Sequence, residues 1–172
     1  ALQSPLNQPA GLAVAANGTV FISEAGGHRI RKVDPAGFIT TLAGAGVDGY
    51  GGDGATATSA LFSSPTGLAV DGTGAVYVAD TGNHRIRKVA GGTVVTVAGT
   101  GVAGSGGDGA LAVAASLRSP RGVALDATGA LLVADTGNQK VRRISSGTIT
   151  SVAGSGATGF GGDGGAATAA TF

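Results

Sequence analysis

The sequence predicts an all-β repeat protein built from three four-stranded antiparallel units, and three observations carry that prediction. The first is self-similarity. Residues 67–89, GLAVDGTGAVYVADTGNHRIRKV, recur upstream as residues 11–33, GLAVAANGTVFISEAGGHRIRKV, and downstream as residues 122–144, GVALDATGALLVADTGNQKVRRI. Proline stands two residues before each copy, at Pro9, Pro65 and Pro120, so the spacings are 56 and 55. The second is a Gly-Gly-Asp-Gly marker after each copy, with Asp53, Asp108 and Asp163 spaced 55 apart both times; a period in this range is the signature of a repeat architecture. The third is glycine, 34 of 172 residues, which falls between short β-type runs as tight turns require.

Composition sets the class. With 42% apolar and 12% charged residues the chain is long enough for one globular domain with a sizeable core. Its net charge of +1 provides no bulk attraction to nucleic acid or to an anionic membrane. The absence of cysteine excludes disulfides and thiol chemistry. No apolar run approaches 18 residues and no leader pattern opens the chain, so a soluble protein is expected. The compartment does not follow from the residues; a secreted or periplasmic bacterial setting is one candidate.

Taken in order, residues 1–8 lead into the first period, and Leu6 holds the place of Phe62, Leu117 and Phe172 in the later ones. The periods run roughly 7–62, 63–117 and 118–172 within a single domain spanning 1–172. Four β-type runs fall in the second period, at 67–70, 75–79, 85–89 and 93–98, the pattern of a four-stranded meander. Between them, Asp71-Gly72-Thr73-Gly74, Thr81-Gly82-Asn83-His84 and Ala90-Gly91-Gly92 place glycine or asparagine where positive φ is needed. Asp34-Pro35-Ala36-Gly37 adds one residue to the last of these turns in the first period, which explains 56 against 55. Several strands are apolar on both faces, as sheets sandwiched between neighbours must be. The long connection after strand four starts glycine-rich and ends alanine-rich. Ala57, Ala60 and Leu61 stand there at i, i+3, i+4, which predicts one or two helical turns.

The segments VYVADTGNHRIRKV, VFISEAGGHRIRKV and LLVADTGNQKVRRI, each introduced by P-x-G-[LV]-A, resemble NHL repeats. That resemblance implies a β-propeller with one four-stranded blade per repeat, and the GxGGDG plus alanine-rich insert is similar to a longer variant of the repeat. The chain departs from the family pattern at Glu24-Ala25-Gly26-Gly27, for Asp-Thr-Gly-Asn, and at Gln139-Lys140, for His-Arg. Propellers close with roughly four to eight blades, and closure is what covers their edges and faces. Three blades alone leave an apolar face open at each end. Because NHL rings are most often six-bladed, the expectation is a homodimer of half-rings, with the C-terminal blade of each copy on the N-terminal blade of the other. The rival expectation is a piece of a longer chain with further blades.

Opposite charges flank each second-to-third strand turn: Asp80 with Arg85, Glu24 with Arg29, and Asp135 with Lys140. A cross-strand ion pair, or a carboxylate bonded to turn amides, is the expected structural role. His28 and His84 occupy the same turns, and Gln139 replaces them in the third copy, which fits a turn residue better than a metal ligand. Asp53, Asp108 and Asp163 recur too far apart for adjacent calcium-binding turns, and no phosphate-loop lysine follows them. They are expected to accept backbone amides and fix the loop, or to cap the alanine-rich turn. The basic residues of the third strand (Arg29, Arg31, Lys32; Arg85, Arg87, Lys88; Lys140, Arg142, Arg143) are expected at a solvated strand edge.

The family resemblance implies RNA binding through a basic face for some members. Here ten acidic residues nearly balance the charge and no aromatics interleave, so no nucleic-acid partner is expected. Two histidines, one glutamate and no cysteine offer no catalytic set. Related propeller enzymes hold a metal in the central channel, but no ligand set maps onto this chain, so no cofactor is expected either. The turn after strand two and the long connection lie on one side of a blade. That face gathers Gly82, Asn83, His84, Asn138, Gln139 and His28, with Arg121 just beyond the loop. A non-catalytic module binding protein or peptide there is the first functional expectation. A purely structural half-propeller with itself as partner is the second, and a fragment of a propeller enzyme the third.

Overall fold

The computed structural model describes residues 5–172, which fold into three sheets of four antiparallel strands, each sheet in sequence order. Blade 1 comprises β1 (Pro9–Val14), β2 (Val20–Glu24), β3 (Arg29–Val33) and β4 (Ile39–Ala43). Blade 2 comprises β5 (Pro65–Val70), β6 (Val76–Asp80), β7 (Arg85–Ala90) and β8 (Thr93–Ala98). Blade 3 comprises β9 (Gly122–Leu125), β10 (Leu131–Asp135), β11 (Lys140–Ser145) and β12 (Thr148–Ala153). No helix among the described residues is long and apolar enough to cross a membrane.

Turn chemistry produces the meander. Asp71 accepts the Thr73 amide at 2.9 Å and the Ala75 amide at 3.0 Å, which closes β5 onto β6 with Gly74 at φ 85°. Asp126 repeats the device between β9 and β10. At the next turn His28, His84 and Gln139 all adopt φ between 49° and 54°, a left-handed conformation stabilised by the fold around them. In every blade the pairing of strands three and four shifts register at one place, Ile30/Arg31, Ile86/Arg87 and Val141/Arg142. Such a bulge re-aims the side chain beside it.

The alanine-rich end of each long connection forms a single 3-10 turn, at Ala57–Ser59, Ala112–Ala114 and Ala167–Ala169, the shorter of the one or two helical turns the spacing predicts. Hydrogen bonds tie the first two of these loops to the following blade. Ala57 N donates to Gly92 O at 2.7 Å and Gly54 N to Val94 O at 2.8 Å; Ala112 N and Gly109 N repeat this with Gly147 O and Ile149 O, both at 2.8 Å. The innermost strands of neighbouring blades also approach closely: a side chain on Gly67 would run into the Arg121 carbonyl, and one on Gly11 into that of Thr66.

The core is accordingly two seams between blades. Phe21, Ile30, Phe62, Leu68, Val78 and Val94 fill the first, and Ile86, Leu117, Leu131, Val133 and Ile149 fill the second. Burying one such side chain contributes roughly 1.5–3 kcal/mol. The outer faces of blades 1 and 3 have no seam, and the same repeat positions change environment there. Leu68 is 6% exposed but Leu12 is 67% exposed; Phe62 and Leu117 are wholly buried but Phe172 is 50% exposed.

Candidate functional site

Each blade is organised around one buried carboxylate at the end of its second strand. Asp80 accepts the Ser63 amide at 2.8 Å, the Asn83 side-chain amide at 2.9 Å and Arg87 Nη1 at 3.2 Å. Asp135 does the same with the amide of Arg118 at 2.7 Å, Asn138 at 2.7 Å and Arg142 at 3.4 Å. Burial pushes the Asp80 carboxyl above its ordinary value, outweighing Asn83, the Ser63 amide and Arg87.

Of the two roles expected for these charges, the cross-strand ion pair is not formed in two blades of three; there the carboxylate accepts from amides, the turn asparagine's among them, and from an inner arginine. Asp80 and Arg85 do stand opposite in the register, as do Asp135 and Lys140, but the carboxylates are drawn inward to Arg87 and Arg142. Arg85 turns instead to Thr100 O at 2.5 Å and lies 3.7 Å from the centre of the Tyr50 ring. Only blade 1 forms the expected pair, Arg29 Nε to Glu24 Oε2 at 2.6 Å. Gly27 stands there in place of Asn83, and the longer Glu24, wholly buried, accepts from the inner Arg31 at 3.3 Å as well as from Arg29, and from the Asn7 backbone amide at 2.7 Å. Burial opposes ionisation of Glu24, but Arg29, the Asn7 amide and Arg31 outweigh it and hold the carboxyl below its ordinary value.

Arg87 and Arg142 also overturn the expectation of a solvated basic edge, since both are wholly buried. Their second partners are the loop aspartates of the preceding blade: Asp53 Oδ1 to Arg87 Nη2 at 2.6 Å, and Asp108 Oδ1 to Arg142 Nη2 at 2.8 Å. Asp53 further accepts the Thr96 amide at 3.1 Å, so it fixes its loop through an amide of the next blade rather than of its own. Burial works against the Asp53 charge, but Thr96, Arg87 and Tyr50 outweigh it and lower its pKa. Asp163 occupies the same repeat position, is exposed, and makes no ion pair among the described residues.

The histidines are fasteners between blades. His84 Nδ1 accepts the Ser119 amide at 3.0 Å, and His28 Nδ1 accepts that of Ser64 at 3.3 Å. Asn83 and Asn138 each divide their amide between the strand-two carboxylate and a loop carbonyl, Gly49 O at 2.7 Å and Gly104 O at 2.6 Å. Those bonds place the strand-two turn and the long loop side by side on one face. Gly82 sits against Ser63, its amide bonded to Ser63 O at 2.9 Å. The Arg121 carbonyl holds Gly67 and Thr66, while the residue itself is exposed. Among the described residues no group of three or more histidines and carboxylates is arranged to hold a metal.

Four-stranded blades packed face to face, latched by a loop onto the next, define a segment of a β-propeller. The family profile of the NHL repeat matches residues 6–33, 62–89 and 117–144, and the chain belongs to the NHL-repeat family with three repeats. Human teneurin-4 is 37% identical over 102 residues, which is 52% of this chain and 4% of the relative. A Bacteroides thetaiotaomicron protein of unknown function superposes with a TM-score of 0.68 at 24% identity, over 77% of this chain and 34% of that one. Virginiamycin B lyase from Staphylococcus aureus superposes with a TM-score of 0.61 at 18% identity, over 87% and 42%. The chain therefore spans well under half of each of these proteins, and the two structural likenesses concern the fold.

Proposed function

We propose that the chain is a non-catalytic propeller scaffold, a half-ring that a second copy completes to six blades, with its loop face offered to a protein or peptide. One observation carries this reading. At each internal seam a loop aspartate meets a buried arginine of the next blade, and the two ends of the series hold the two halves of one more such clasp. Arg31, in the position of Arg87 and Arg142, reaches Glu24 at 3.3 Å and Thr40 O at 3.4 Å, with no loop aspartate paired to it among the described residues. Asp163 is the loop aspartate that pairs with no arginine among the described residues.

The surrounding residues are complementary in the same sense. Phe160 is 96% exposed where Tyr50 stacks on the arginine of the next blade, and Arg29 is the corresponding arginine of blade 1. Phe172 and Leu12 are the exposed members of positions buried at the internal seams. A two-fold axis relating two half-rings would form this contact twice and leave no open sheet face. The non-catalytic part of the reading is supported by how the ionisable groups are used: Glu24, Asp80, Asp135, His28 and His84 are all bonded within their blade or to its neighbour.

Charge exchange tests the proposal. Arg31→Asp and Asp163→Arg each weaken self-association, and the two substitutions combined restore it. Association that ignores both single changes would remove the clasp from the account.

A further inference from the structure

On the loop face between blades 2 and 3 lies a cavity of about 380 Å³, lined by Ser105, Arg118, Asn138, Lys140 and Ser155 together with glycines. We infer that this cavity is a carboxylate-binding site, taking an aspartate, glutamate or C-terminal carboxylate of an acidic peptide. The inference rests on the reading of the loop face as a binding surface and names the chemistry of its ligand.

The internal repeat supplies the comparison. At the seam between blades 1 and 2 the same place is filled: the Tyr50 ring covers the guanidinium of Arg85, which also bonds Thr100 O and Asn83 O. Three sequence differences open and charge the second seam. Ser105 replaces Tyr50 and removes the roof; Lys140 replaces Arg85 and removes the fork that bonded the loop carbonyls; Arg118 replaces Ser63 and adds a second cation. Neither the Arg118 nor the Lys140 side chain forms an ion pair among the described residues. The nearest repeated carboxylates are committed elsewhere, Asp135 to the Arg118 amide, Asn138 and Arg142, and Asp108 to Arg142. A guanidinium fork, an ammonium and serine hydroxyls around a concave space of this size suit a carboxylate, which accepts through two oxygens.

The test is titration calorimetry on the full chain with a hexapeptide rich in Asp and Glu, its Asn/Gln counterpart, and inorganic phosphate. Saturable binding of the acidic peptide, at least tenfold tighter than the neutral one and weakened by added salt, is expected. Ser105→Tyr, which rebuilds the filled seam already present between blades 1 and 2, is expected to weaken it at least tenfold while leaving the particle mass unchanged. Arg118→Ser is expected to weaken it as well. Equal affinity for the two peptides, stronger binding of phosphate, or acidic-peptide binding untouched by Ser105→Tyr would each overturn the assignment. Because the cavity is lined by residues of one chain, none of them a member of the proposed ring-closing clasp, such a failure leaves self-association standing, and loss of self-association leaves the cavity standing.

Discussion

Asp53 and Arg87 belong to successive blades, 34 residues apart, and their 2.6 Å contact holds the long loop of one blade against the third strand of the next. Arg87 is wholly buried and is bonded as well to Asp80 at 3.2 Å and to the carbonyls of Leu61 and Gly51 at 3.2 and 3.1 Å. A buried guanidinium is stable only while its partners remain, so the two aspartates should differ in weight. Asp80 is itself buried, and Asp80→Ala is expected to cost about 3–5 kcal/mol. Asp53 has a side chain 36% exposed, and Asp53→Ala is expected to cost about 1 kcal/mol. Urea denaturation of the two variants checks the ranking, and equal losses would contradict it.

The seams make the same side chain matter differently by position. Phe62→Ala is expected to lose about 3–5 kcal/mol, because it empties a closed seam. Phe172→Ala is expected to cost far less in chain stability, under about 1 kcal/mol, but to weaken self-association. Denaturation and sedimentation on both variants separate the effects; a Phe172→Ala variant that associates normally would count against blade 3 as a contact surface.

Close approach of the inner strands predicts a glycine effect with a built-in control. Gly67→Ala forces a methyl into the Arg121 backbone and is expected to cost about 1–3 kcal/mol. Gly72→Ala meets nothing within 4 Å, and its φ is not in the left-handed region, so a change within about 0.5 kcal/mol is expected. Melting temperatures decide between them.

The carboxylates also set a pH dependence. Glu24 and Asp53 ionise more readily in the folded chain than in the unfolded one, so their stabilisation is present above roughly pH 4 and is lost as the pH falls below it. Asp80 works in the opposite sense, since its raised pKa favours the folded state on protonation. With the lowered groups in the majority, melting temperature is expected to fall between pH 5 and pH 2.5, and to fall less in Asp53→Asn. A melting temperature that rises on acidification would contradict this balance.

The blade count, the strand order and the turns were legible because each has a local signal: a repeated marker, a β-type run, or a glycine or asparagine at a left-handed position. Seam chemistry was not, for a physical reason. Arg87 lies in a strand whose neighbours Arg85 and Lys88 are partly exposed, and only a bulge at Ile86/Arg87 and a carboxylate 34 residues upstream bury it. One signal could have found the pair, the recurrence in every period of the Gly-Gly-Asp-Gly aspartate together with an arginine at the third position of strand three, Arg31, Arg87 and Arg142. The left-handed turn residues His28 and His84 were placed correctly in their turns, but their hydrogen bonds run to the next blade, beyond what spacing within a repeat can express. The open cavity likewise depends on Tyr50 becoming Ser105, a difference whose meaning appears only once the two seams are superposed in space.

The most direct test of the account is the mass of the particle formed by the 172-residue chain, measured by light scattering at micromolar concentration. Half-rings that complete one another give a single species of twice the 16.2 kDa chain mass. A well-folded, monodisperse species at 16.2 kDa would contradict the completed ring of two copies and would favour further blades of a longer polypeptide as the cover for the open faces.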